Sequence, residues 1–111
     1  MMQIPTLPLI DGNAIPKLGF GTGTTWYKDN PEGPLSLQLV ELLNAALAQG
    51  YVHIDTADSY GTEQEVGLAI QQSGIPREKL FVTTKVKDGW KDVPAALDTS
   101  LEKLGLEYVD L

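Results

Sequence analysis

His53-Ile54-Asp55-Thr56-Ala57-Asp58-Ser59-Tyr60-Gly61-Thr62-Glu63 is the stretch whose reading decides the fold. A short strand, Tyr51 to Thr56, leads into it. Strand alternation puts Tyr51, His53 and Asp55 on one face and Val52 and Ile54 on the other. A helix begins just beyond Tyr60. There Thr62-Glu63-Gln64-Glu65 has the capping-box pattern, in which the Thr62 hydroxyl accepts from the Glu65 amide and the Glu65 carboxylate reaches back. That helix turns Val66, Ala69 and Ile70 inward and stops at Ser73-Gly74-Ile75-Pro76. The stretch is therefore a strand-to-helix junction that gathers a carboxylate and a phenol.

Working outward, Leu80-Phe81-Val82-Thr83-Thr84-Lys85 is a second apolar, β-branched strand that ends on a lysine. Asp92 can cap a further helix with Leu97, Leu101 and Leu104 on one side, closed by Gly105, and Tyr108-Val109-Asp110-Leu111 starts another strand. Upstream, Leu39, Val40, Leu43, Ala46 and Leu47 recur at helical spacing within Leu37 to Gln49, and Gly50 is a natural stop. Before that come the apolar strand Leu18-Gly19-Phe20-Gly21-Thr22-Gly23-Thr24 and a Pro/Gly/Asn-rich loop from Trp26 to Pro34. At the start, Leu7 to Ile10 and Ala14 to Lys17 flank Asp11-Gly12-Asn13, a hairpin turn.

Strand and helix alternate throughout, which implies parallel strands joined by right-handed crossovers. Asp55 and Lys85 are one such unit apart. Eight units close a (β/α)₈ TIM barrel, typically about 250 residues long. The 111 residues hold fewer than half of them. The expectation is an α/β chain supplying the hairpin (1–17) and about the first three and a half βα units (18–111) of a single barrel domain, either as its N-terminal portion or as a truncated gene product.

Composition narrows the function classes. Fifteen acidic residues against eight Lys and Arg give a net charge of -7, so a phosphate surface would be repelled; neither nucleic acid nor an anionic membrane is expected as a partner. With no cysteine, thiolate metal sites, disulfides and cysteine nucleophiles are excluded. Met1-Met2-Gln3-Ile4-Pro5 lacks a basic region followed by an apolar run, and no segment approaches the ~20 apolar residues of a membrane span. A soluble, cytoplasmic protein is expected.

Active sites of such barrels lie at the C-terminal ends of the strands. Asp55 and Lys85 end neighbouring strands, whose axes run about 4.8 Å apart, so the two side chains can pair. Rim charges at the barrel mouth would look the same. Tyr60 sharpens the chemistry, because a free phenol is too weak an acid to donate efficiently at neutral pH. A nearby ammonium favours the phenolate, and a carboxylate behind the lysine keeps that cation charged and aimed. Alone, Tyr60 would read as a ring packed over the rim.

These residues also carry a resemblance. His53-Ile54-Asp55-Thr56-Ala57 with Tyr60-Gly61 and Glu63, then Val82-Thr83-Thr84-Lys85, then Ser100-Leu101-Glu102-Lys103-Leu104-Gly105-Leu106-Glu107-Tyr108-Val109-Asp110-Leu111, resembles the aldo-keto reductase family from about Ile15 onward, and its fungal branch most of all. The resemblance implies a TIM-barrel oxidoreductase that reduces a small-molecule aldehyde or ketone with NADPH, less often NADH. It casts Tyr60 as general acid, Lys85 as the neighbour that eases its proton loss, and Asp55 as the partner of Lys85 and a contact of the cofactor's ribose. Gly21, Thr22 and Gly23 match the first-strand loop, where small residues let the backbone approach the nicotinamide end. The family's fourth-strand histidine would lie past Leu111, and His53 does not stand in for it. Thr62 replaces a frequent asparagine. Val86-Lys87 replaces a frequent tryptophan, leaving Trp26 as the candidate substrate contact and Trp90 as another aromatic.

Three other readings compete. His53 and Asp55 on one strand face could be a metal pair, but the chain has a single histidine and Lys85 is a competing cation, so no metal is expected. Gly19-Phe20-Gly21-Thr22-Gly23 lacks the G-x-G-x-x-G spacing and precedes a loop rather than a helix. A catalytically inactive fragment or interaction piece would keep the same ancestry with uncovered sheet edges, and no reductase activity is expected of these 111 residues alone.

Overall fold

The computed structural model describes residues 3–111. Two short strands, β1 (Thr6–Pro8) and β2 (Ala14–Pro16), pair antiparallel as the hairpin. The Asp11 carboxylate closes their turn by accepting from the Asn13 backbone amide at 3.0 Å. Both strands carry a proline, which a two-stranded ribbon tolerates because each strand is an edge.

The remaining strands, β3 (Phe20–Gly21), β4 (His53–Asp55) and β5 (Phe81–Thr83), form one parallel sheet in the order β3-β4-β5. Parallel neighbours in sequence order are what right-handed βαβ crossovers produce. Ladder hydrogen bonds run on past the strand ends: Thr22 N–H donates to the Asp55 carbonyl, Thr56 N–H to Thr83, and Asp58 N–H to Lys85, all within 2.9–3.1 Å. The sequence-expected fourth strand is not formed as such. Instead Asp110 N–H donates to the Val82 carbonyl and Thr84 N–H to the Leu111 carbonyl, so the last residues run alongside β5. Arg77 anchors them from a single 3-10 turn (Arg77–Lys79), donating to the Tyr108 carbonyl and pairing with Asp110 at 2.8 Å.

Helices α1 (Leu37–Gln49), α2 (Glu63–Ser73) and α3 (Val93–Leu104) link the strands. Ser36 caps α1 by accepting from Leu39 N–H, and Asp92 caps α3 by accepting from Ala95 N–H. The core lies between sheet and helices: Leu39, Leu43 and Leu47 of α1 pack with Ile54, Val66, Val82 and Leu104, each at most 1% exposed. Register explains the choice of residues. Phe20, Ile54 and Val82 stand side by side toward the helices, while Gly21, Asp55 and Thr83 line the opposite face. On α3 only Ser100 and Leu104 are buried and Leu97 is 37% exposed, so the expected leucine face is covered at its C-terminal end alone. No helix among the described residues is long and apolar enough to cross a membrane.

The capping box is not made. Thr62 stands at the N-cap of α2 but makes no side-chain cap bond. Its fully buried hydroxyl donates to Thr22 Oγ1 at 2.9 Å and lies 3.3 Å from Thr56 Oγ1. The Glu65 carboxylate turns away to Lys28 and Ser36. A buried hydroxyl or carboxylate goes where the larger unsatisfied demand lies. Here that demand is tertiary, and Glu63 and Glu65 still complement the helix dipole from the first turn.

Candidate active site

Every group singled out for chemistry sits where a strand has just ended. Asp55 closes β4 on the face opposite the core. Lys85 lies two residues past the end of β5 and so rises from that same face. The turn between β4 and α2 is a short 3-10 turn, Asp58–Tyr60, which folds Tyr60 back over the strand ends. Its exit, Gly61, has φ of +72°, and Thr62 then enters α2.

The lysine gathers the site. Its Nζ donates to Asp55 Oδ2 at 2.8 Å, to the Thr56 carbonyl at 3.0 Å and to the Tyr60 hydroxyl oxygen at 3.1 Å. Three donors thus meet three acceptors from the neighbouring strand and turn, which uses the full hydrogen-bonding capacity of an ammonium. Nζ also stands 4.8 Å from the centre of the Tyr60 ring. Burial works against the charged form of Lys85, but its hydrogen bonds to Asp55 and Tyr60 and the Asp55 charge outweigh it, so its pKa is raised above the usual 10.5. The amine is held as an ammonium at neutral pH. The sequence-expected grouping of Asp55, Tyr60 and Lys85 is present.

Gly23 makes room for the phenol. A Cβ there would come within 3.1–3.2 Å of three Tyr60 ring carbons, so the ring lies flat against the glycine backbone. Gly21 is exposed, and a Cβ on it would meet nothing within 4 Å. Thr22 between them has no accessible surface; its hydroxyl donates to the Asp55 carbonyl at 3.0 Å and accepts from Thr62. The first-strand loop therefore offers one open glycine, Gly21, and one glycine covered by the Tyr60 ring, Gly23, around an inward-turned threonine. Trp26 closes the following 3-10 turn and is half-buried, its ring packed partly on the apolar core, whereas Trp90 is 66% exposed.

His53 is engaged in the layer below. Its Nε2 shares a hydrogen bond with Thr83 Oγ1 at 3.0 Å and its ring meets Phe81 edge-on. Among the described residues no group of three or more metal-ligating side chains comes together.

Several residues around the site escaped the sequence reading. Asp58 accepts from the backbone amides of Lys87, Asp88 and Gly89. Glu63, 3% exposed, accepts from Thr84 Oγ1 at 2.7 Å, beside Lys85. Lys28 pairs with the buried Glu65 at 2.9 Å while its backbone N–H donates to the Tyr60 carbonyl at 2.9 Å. A short acidic residue inside a strand-to-helix turn was the only available signal for Asp58.

The model of the family described as Aldo/keto reductase matches residues 17–111. The chain belongs to the aldo/keto reductase family. Among its relatives is the NAD/NADP-dependent indole-3-acetaldehyde reductase of Schizosaccharomyces pombe, 43% identical over 90% of this chain and 35% of that protein. Another is aldehyde reductase YPR1 of Saccharomyces cerevisiae, 48% identical over 96% of this chain and 31% of that protein. Fungal members are thus among its relatives. A Bombyx mori aldo-keto reductase (AKR2E4) solved in complex with NADP superposes with a TM-score of 0.83 at 38% identity, covering 98% of this chain and 37% of the other. The Brucella melitensis aldo/keto reductase superposes at 0.79 with 44% identity, covering 96% and 39%. The chain spans about a third of the length of these relatives, and its sheet and helices are part of the family's TIM barrel.

Proposed function

We propose that these residues serve the reduction of a small-molecule aldehyde or ketone to an alcohol, with Tyr60 as general acid, in the barrel to which they belong. The observation that carries the proposal is the Lys85 ammonium, placed between the Asp55 carboxylate and the Tyr60 hydroxyl at 2.8 and 3.1 Å. A phenol oxygen that accepts from an ammonium has its proton free to point away, toward an incoming carbonyl oxygen. As that proton leaves, negative charge grows on the phenol oxygen beside a fixed cation, where it is stabilised without reorganisation. Asp55 keeps the cation in place.

The residues present fit a nicotinamide cofactor, NADPH or NADH. Gly21 opens onto free space at the strand ends, and the second carboxylate oxygen of Asp55 has no hydrogen-bond partner among the described residues, leaving it able to accept from a ribose hydroxyl. Gly21 and Gly23 would admit the cofactor's nicotinamide end, with Thr22 holding the loop in shape from beneath. The cofactor, when bound, supplies the hydride. Trp26, on the turn that follows Gly23, is proposed to border the substrate. Aldehyde reduction by the yeast relatives, as their names describe it, supports the same substrate class.

The experiment is Lys85→Met in the full barrel, assayed with NADPH and 4-nitrobenzaldehyde. Turnover is expected to fall roughly 10²-fold or more, the scale of a disabled general acid, with NADPH affinity retained. Wild-type turnover in this variant overturns the proposal.

A further inference from the structure

Tyr60 and Lys85 belong to different loops, and a general acid works only if the distance between those loops is held. The phenol rides on the turn after β4, whereas the ammonium stands at the start of the segment after β5. Outside the reacting groups themselves, the Asp58 side chain bridges the two most extensively, next to the single Glu63–Thr84 bond at the start of α2. Asp58 opens the Tyr60 turn, and its Oδ1 accepts from Lys87 N–H at 3.0 Å and from Asp88 N–H at 3.3 Å, while Oδ2 accepts from Gly89 N–H at 3.0 Å. The backbone N–H of the same residue donates to the Lys85 carbonyl at 3.0 Å. Four hydrogen bonds from one residue thus pin residues 85–89 against the turn that carries Tyr60.

The far side of this clamp is equally specific. A Cβ on Gly89 would lie 2.4 Å from Ala96 Cβ of α3, so only glycine lets the 86–89 segment fit between α3 and the Asp58 carboxylate. Asp58 is partly buried, and although burial opposes its charge, the backbone N–H groups of Lys87, Gly89, Asp88 and Ser59 hold its carboxyl below the usual carboxylate range. Bonds from N–H groups to an ionised acceptor are also about twice as strong as neutral ones.

We propose that Asp58 is a positioning residue for the reaction: it staples the Lys85 segment to the Tyr60 turn and so sets the ammonium-to-phenol distance. The inference rests on the roles proposed above for Tyr60 and Lys85. Asp58 takes no part in proton transfer itself, since both its oxygens are occupied by backbone amides.

The test is a double-mutant cycle in the full barrel, with NADPH and 4-nitrobenzaldehyde. Asp58→Asn retains one acceptor oxygen and the side-chain shape, and is expected to lower kcat roughly tenfold, because a displacement of about 1 Å costs up to about 10²-fold. KM for the aldehyde and the NADPH dissociation constant should stay near wild type. In the Lys85→Met background the same change should have almost no further effect on kcat, whereas a merely structural role would cost the same in both backgrounds. Equal cost in both backgrounds, or wild-type kcat in Asp58→Asn, overturns the inference. If Lys85→Met has wild-type turnover, the roles assigned to Tyr60 and Lys85 fail first and the inference falls with them; a collapsed Lys85→Met beside an active Asp58→Asn rejects the inference alone. Amide hydrogen exchange in the wild-type barrel needs no variant: the Lys87 and Gly89 amides should be protected, and free exchange at both contradicts the staple.

Discussion

Replacing Lys28 by methionine strips the only cation, among the described residues, from a carboxylate that has no accessible surface. Glu65 Oε2 takes Lys28 Nζ at 2.9 Å and Ser36 N–H at 3.1 Å, while Oε1 is buried with no hydrogen-bond partner among the described residues. The site is already one hydrogen bond short, so the loss of the ammonium leaves a charged group supported by a single amide. Breaking a buried pair from one side costs about 3–5 kcal/mol, and the lower end applies here because Lys28 keeps 16% of its surface. For a chain of barrel size, each kcal/mol moves Tm by about 2–4 °C, which gives a fall of roughly 6–12 °C. Thermal unfolding of full-length Lys28→Met measures it. Converting the carboxylate to an amide as well should restore much of the loss, since the amide oxygen in Lys28→Met/Glu65→Gln still serves Ser36 N–H without an unpaired charge. A wild-type Tm in Lys28→Met, or a double variant whose loss equals the sum of the two single losses, refutes the reasoning.

Gly23→Ala should lower kcat by roughly tenfold, because the new methyl group forces the Tyr60 ring off its seat by a fraction of an ångström; steady-state kinetics showing unchanged kcat would contradict this contact. Lys85 has a raised pKa, so what its charge adds to stability is fully present below the unfolded lysine value and is lost as pH rises through the higher folded one. The stability difference between wild type and Lys85→Met should therefore be flat from pH 6 to 9 and narrow only above about pH 10.5, as urea unfolding at several pH values reads it; narrowing at neutral pH would reject the sign.

The parts of this molecule legible in the sequence are those governed by periodicity. Leu39, Leu43 and Leu47 could hardly face anything but a sheet, and the strand-helix alternation around His53 to Glu63 leaves few topologies open. The spacing from Asp55 to Lys85 sufficed to bring these side chains to one mouth, because Asp55 is in register with Thr83 and Lys85, two residues further on, rises from the same face of the neighbouring parallel strand. Polar partnerships were less legible. Thr62 and Glu65 have a local pattern that spells a cap, yet Thr22 and Lys28, 40 and 37 residues earlier in the chain, claim them instead. Asp58 likewise spends its carboxylate on amides about 30 residues away. Hydrogen-bond demand is settled by what is buried nearby in space, which no window of sequence contains.

Tyr60→Phe removes one oxygen atom and leaves the ring on Gly23. Single-turnover hydride transfer from NADPH to 4-nitrobenzaldehyde in the full barrel should slow by roughly 10²–10⁴-fold, while NADPH binds as tightly as before. Transfer at the wild-type rate would mean that the phenol beside Lys85 is not the proton donor.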